Sequence, residues 1–135
     1  MGFFFNRKKK DSEGLPPFLS ALEDGESLLI VRLKGAVGSS ILPEALKIRK
    51  KVQSSPGYHD KNTLYDFKEV DSIDSAVVAQ LITVFSELKK SHHRMGVINL
   101  KDSFRSELQI LRVDKYIVEY SSEAEAIREL TSGGA

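Results

Sequence analysis

The chain has 135 residues, of which 41% are hydrophobic and 29% charged, with a formal net charge of +1. That size and balance suit one globular domain and exclude a disordered chain. There is no cysteine, which excludes a disulfide scaffold, a thiol nucleophile and any cysteine-based metal site.

The charge is unevenly placed. Residues 1–17 carry Arg7, Lys8, Lys9 and Lys10 against Asp11 and Glu13, while the remainder is near neutral. A nucleic-acid partner is not expected, because such surfaces need a basic face. No apolar run approaches the roughly 20 residues needed to span a bilayer. The first apolar cluster, Phe3-Phe4-Phe5, is far shorter than a secretory h-region. Cytoplasmic residence is the expectation.

Along the chain, Gly14 and the Pro16-Pro17 pair disfavour regular structure, so residues 1–17 read as a flexible basic and aromatic tail. Phe3, Phe4 and Phe5, followed by Arg7, Lys8, Lys9 and Lys10, give this tail a weak membrane-contact signal: rings for the headgroup boundary and cations for anionic lipid. Phe18 to Leu22, the turn Asp24-Gly25-Glu26 and Ser27 to Lys34 form a hairpin signal. Gly35 to Ser40 reads as a loop. Pro43 suits a first helical turn, and Leu42, Ala45, Leu46, Arg49 and Val52 follow at helical spacing. Ser54-Ser55-Pro56-Gly57 stops that helix.

Leu64 to Phe67 is the next strand, and Glu69 to Asp74 a polar loop with Val70 and Ile73 turned inward. Val78, Leu81, Ile82, Phe85 and Leu88 make one helical stripe, which Asp74 or Ser75 can cap. Met95 to Leu100 reads as a buried strand. Asp102 or Ser103 can cap a helix bearing Phe104, Leu108 and Leu111. Tyr116 to Tyr120 is a last strand. Ser121-Ser122-Glu123 opens a final helix with Ala124, Ile127 and Leu130, and residues 132–135 read as a disordered end. Strands alternating with helices after the hairpin predict an α/β fold. Its mixed sheet would have parallel β-α-β crossovers and about four helices packed on it.

No catalytic constellation emerges, and no enzyme, metal or cofactor is expected. Nucleotide-binding glycine loops and the G-x-S-x-G elbow are missing from the sequence. His92 and His93 are adjacent and cannot face one site on a helix, so with Lys89, Lys90 and Arg94 they suit a helix C-terminus. Asp60, Asp66, Glu69, Asp71 and Asp74 lack the spacing of a calcium loop and read as caps and solvated charge.

The segment Asp66-Phe67-Lys68-Glu69-Val70-Asp71-Ser72-Ile73-Asp74-Ser75-Ala76-Val77-Val78 resembles the STAS domain family, whose members typically read D-L-x-x-V-x-x-[IM]-D-[ST]-[ST]-G-[LV] here. Ile30 to Gly35, Val97 to Leu100 and Tyr116 to Ile127 are similar to further family segments, so the resemblance spans about residues 18–130 of a domain expected over 18–131. Val77 stands where the family usually has Gly. Gly38 stands where antagonists often carry Asp.

The resemblance implies a STAS-like sheet and a regulatory binding module like the anti-sigma-factor antagonists. Ser75 matches the residue that a serine kinase phosphorylates in those proteins. The implied partner is such a kinase, itself often the anti-sigma factor, or another regulatory protein. The implied docking surface comprises Gly35, Gly38, Ser39, Ser40, Asp71, Ser72, Asp74, Ala76 and Val77. The alternative is a non-phosphorylated scaffold subunit of a membrane-associated complex, held at the inner face of the membrane by the tail.

Overall fold

The structure, a computed structural model, describes residues 7–11, 19–25, 27–37, 61–73, 75–112 and 117–131. They form six strands, β1 (Arg7–Asp11), β2 (Leu19–Gly25), β3 (Leu28–Val37), β4 (Asn62–Ile73), β5 (Met95–Ile98) and β6 (Val118–Glu119). The three described helices are α1 (Ser75–Lys90), α2 (Asp102–Ile110) and α3 (Glu123–Leu130). The strands lie in one sheet in chain order. β1, β2 and β3 pair antiparallel, and β3 through β6 run parallel. The mixed α/β class, the hairpin and the crossovers are as the sequence predicts. The helix expected around Leu42 to Val52 lies outside the described residues.

Strand periodicity of two sorts the β3 side chains onto two faces. Leu29, Val31 and Leu33 face α1 and α2, joining Tyr65, Phe67, Met95 and Val97 against Val78, Leu81, Val84, Leu88, Phe104 and Leu108. Leu28 and Ile30 face α3, with Leu64 and Ile98 against Ala126, Ile127 and Leu130. The stripe on α1 is turned slightly from the predicted one: Val84 is buried in the core, while Ile82 and Phe85 are only partly buried. Leu111 leaves the predicted stripe of α2 altogether. The helix ends at Ile110, and Leu111, its C-cap, is exposed.

Three strand expectations are corrected. Gly35 to Val37, expected as the start of a loop, belongs to β3. Arg7–Asp11, expected in the flexible tail, is a strand on the open edge of β2. Its register sets Lys8 opposite Asp24 and Lys9 opposite Glu23. Glu69 to Ile73, expected as a loop, continues β4. Inward residues Phe67, Val70 and Ile73 are three apart, which a regular strand cannot place on one face. Register shifts opposite Arg32/Lys34 and opposite Gly35/Ala36 supply the extra residues.

Helix ends follow local chemistry. Past α1, His92 adopts φ 63, its N–H donates to the Lys89 carbonyl and the His93 N–H to the Leu88 carbonyl. This is the left-handed closure usually given to Gly. At α2 the N-cap is Lys101, without a side-chain cap, in place of the predicted Asp102 or Ser103. At α3, Ser122 accepts from the Glu125 N–H as the N-cap.

Candidate functional site

The bulged half of β4 carries the chain to the carboxyl end of the parallel strands. There Gly35 pairs with Val70, Ala36 with Ser72 and Val37 with Ile73. The two segments that sequence reasoning proposed for docking are therefore neighbours in one ladder. Ala36, Asp71 and Ser72 are exposed, and Gly35 takes φ +76, a backbone region that disfavours any side chain. Ser75 is the first residue of α1, two positions after β4 ends. No acidic residue occupies the first turn of that helix, so its positive pole is not offset from within. Ala76 and Val77 complete the turn. Gly38, Ser39, Ser40 and Asp74 lie outside the described residues, as do Phe3, Phe4 and Phe5.

Sequence reasoning missed the groups that hold this end in place. Lys101, exposed at the start of α2, reaches the Asp71 carbonyl at 3.4 Å and lies 5.9 Å from the Phe104 ring centroid. Beneath it, Asp66 accepts from the Lys68 N–H at 2.9 Å and from Asn99 Nδ2 at 2.8 Å. Asn99 itself takes φ 62 just past β5. Arg32 Nη1 donates to the other Asp66 oxygen at 2.6 Å and to Glu123 Oε1 at 2.7 Å, Nη2 to Glu123 Oε2 at 3.0 Å, and Nε to Glu23.

One guanidinium thus ties β2, β3, β4 and the first turn of α3. Burial opposes its charge, but its hydrogen bonds to Glu123, Glu23 and Asp66 outweigh that and hold Arg32 above its ordinary pKa. The sequence carried a signal for their burial but not for their pairing: Arg32 shares parity with Leu28 and Ile30 on a buried face, as Asp66 does with Leu64.

A second charged cluster closes the other side. Arg105 holds Glu119 through Nε and Nη2, both at 2.7 Å, and Asp102 at 2.6 Å. Hydrogen bonding to Glu119 raises its pKa. Among the described residues no cluster of His, Asp and Glu is arranged to hold a metal ion, and no helix is long and apolar enough to cross a membrane.

The STAS domain family model matches residues 21–126. The chain belongs to the STAS family. Its bulged strand and following helix are the segment that carries the sequence motif. β1 lies before the matched span, so in this STAS chain the basic edge strand precedes it.

Solved structures share the fold at low identity. The anti-sigma factor antagonist SpoIIAA in its unphosphorylated form is 15% identical with a TM-score of 0.66, covering 96% of this chain and 97% of that one. The Bacillus cell fate determinant SpoIIAA in its phosphorylated form is 17% identical, TM-score 0.56, with 93% and 98% covered. A Thermotoga maritima protein, named as a candidate anti-sigma factor antagonist, is 18% identical, TM-score 0.60, with 76% and 86% covered. No curated protein matches the sequence.

Proposed function

We propose that this STAS domain is a regulatory protein-binding module whose docking is switched by phosphorylation of Ser75. The observation that carries the reading is the position of Ser75 at the first residue of α1, beside the exposed ladder of Ala36, Asp71 and Ser72. A phosphate at a helix N-terminus meets free N–H groups and the positive helix pole. It brings about −1.5 to −2 charge at pH 7 to a surface that already holds Glu69 and Asp71. A partner fitted to the unmodified surface would then face repulsion and a changed hydrogen-bond pattern. Structures with this fold include an antagonist in both unphosphorylated and phosphorylated forms, which supports phosphorylation as a switch for this chain too.

The reading needs no chemistry from the domain itself. The Arg32 cluster and Lys101 hold the bulged strand so that the docking surface is preformed. The test is binding of a regulatory partner, isolated with the parent domain, to Ser75→Ala and Ser75→Asp. Retained binding by Ser75→Ala with at least about tenfold weaker binding by Ser75→Asp supports a switch. Equal binding by all three overturns it.

A further inference from the structure

The opposite end of the sheet has its own chemistry. Arg7 pairs with Gly25, Asp24 with Leu29, Leu28 with Asn62 and Thr63 with Met95. The Arg94 N–H donates to Asn62 Oδ1 at 2.7 Å. Arg7, Gly25, Leu28, Asn62 and Arg94 therefore form one row across the sheet, spanning four strand spacings or about 19 Å. α1 runs back to this row from Ser75, a length of about 24 Å for its 16 residues. It arrives with Lys89 and Lys90, both exposed. α2 arrives with Ile110 and Leu111, followed by exposed Arg112.

Exposed apolar groups gather there. Ile110 is 75% exposed, Leu111 46% and Val118, at the start of β6, 45%. These are the exposed large hydrophobics among the described residues. On α1, partly buried Ile82 and Phe85 line an open groove with Ser86, Lys89 and Lys90, and Lys89 Nζ lies 6.0 Å from the Phe85 ring centroid. Glu87, Glu107 and Glu129 are the acids at this end whose side chains the structure describes. Lys89, Lys90, Arg94, Arg112 and Arg128 outnumber them. A cationic surface with exposed aliphatic side chains suits the boundary between anionic headgroups and acyl chains, where both components contribute. A polyanion such as nucleic acid would reward the cations but leave Ile110 and Leu111 without a partner.

We propose that this end of the sheet is a bilayer-facing surface. Lys89, Lys90 and Arg112 meet anionic lipid headgroups, Ile110 and Leu111 enter the boundary, and the Ser75 end of α1 points away from the membrane. The surface stands whether or not Ser75 is phosphorylated.

The test is co-sedimentation of the full chain with vesicles of phosphatidylglycerol and phosphatidylcholine, against phosphatidylcholine alone. Binding to the anionic vesicles only, weakening as salt rises, is expected. Lys89→Glu combined with Lys90→Glu should weaken it about tenfold or more. Ile110→Glu should also weaken it, and at so exposed a position the fold is not at stake. Lys68→Glu, the same charge change far along β4, should bind like the parent. Failure to bind anionic vesicles at low salt overturns the proposal. So does binding that these substitutions leave unchanged, or binding to soluble polyglutamate but not to vesicles.

Discussion

Arg32 and Asp66 stand opposite each other on parallel neighbours β3 and β4, and their side chains meet at 2.6 Å on the face that packs against α3. The same guanidinium holds Glu23 and Glu123. Removing it would take this cation from Glu23 and Asp66, each at least 95% buried. Arg32→Met is therefore expected to destabilise the fold by about 3 kcal/mol, since breaking a buried ion pair strands the remaining charge. Urea unfolding checks this, and a loss under 1 kcal/mol would show that the cluster is not held together by Arg32.

Gly35→Ala should cost about 1–2 kcal/mol. The cause is the backbone, because an added Cβ at Gly35 meets nothing within 4 Å and φ is +76. Thermal unfolding of Gly35→Ala and Gly35→Asn separates the two effects. Asn tolerates the left-handed region better and should lose less.

Gly96 presents the reverse case. A Cβ there would stand 2.5 Å from Tyr120 Cε2 and 3.3 Å from Leu130 Cδ1. Gly96→Ala must displace the Tyr120 ring and loosen α3 on the sheet, at about 1–3 kcal/mol. A lower midpoint, with faster amide exchange in residues 123–130, is the expected outcome.

The start of α3 should confer an acid-side pH dependence. The Ser121 N–H and hydroxyl both donate to Glu125 Oε1 at 2.9 Å, and these bonds hold the Glu125 carboxyl below its ordinary pKa. A depressed folded-state pKa gives stability that is present above the unfolded value and is lost as pH falls through the folded one. Glu125→Gln should flatten that part of the stability–pH curve while leaving neutral-to-alkaline behaviour parallel to the parent. Ser122→Ala, which removes the N-cap, should cost about 1 kcal/mol across the range.

What the sequence made legible follows from periodicity. β3 and α1 could be placed because their apolar residues keep the period of their element. β4 was cut short because Phe67, Val70 and Ile73 repeat at three, a spacing that belongs to a strand only when bulges intervene. β1 was hidden by composition, since Arg7 to Lys10 looks solvated, yet an edge strand is where such charges are tolerated. The two segments proposed for docking follow from the family resemblance, but their adjacency needed the register of β3 against β4. The Arg32 cluster was hidden for a simpler reason: charges that are far apart in sequence, from Glu23 to Glu123, reveal a shared partner only once the sheet is assembled.

The central claim is that the hydroxyl at the head of α1 is a regulatory switch. Phosphopeptide mapping of the full chain, purified from its native cells with phosphatases inhibited, tests it most directly. The account predicts a phosphoryl group on Ser75 in part of the population, lost on phosphatase treatment together with a gain in partner binding. A chain that carries no phosphate at Ser75, even after incubation with the serine kinase that co-purifies with it, would contradict it.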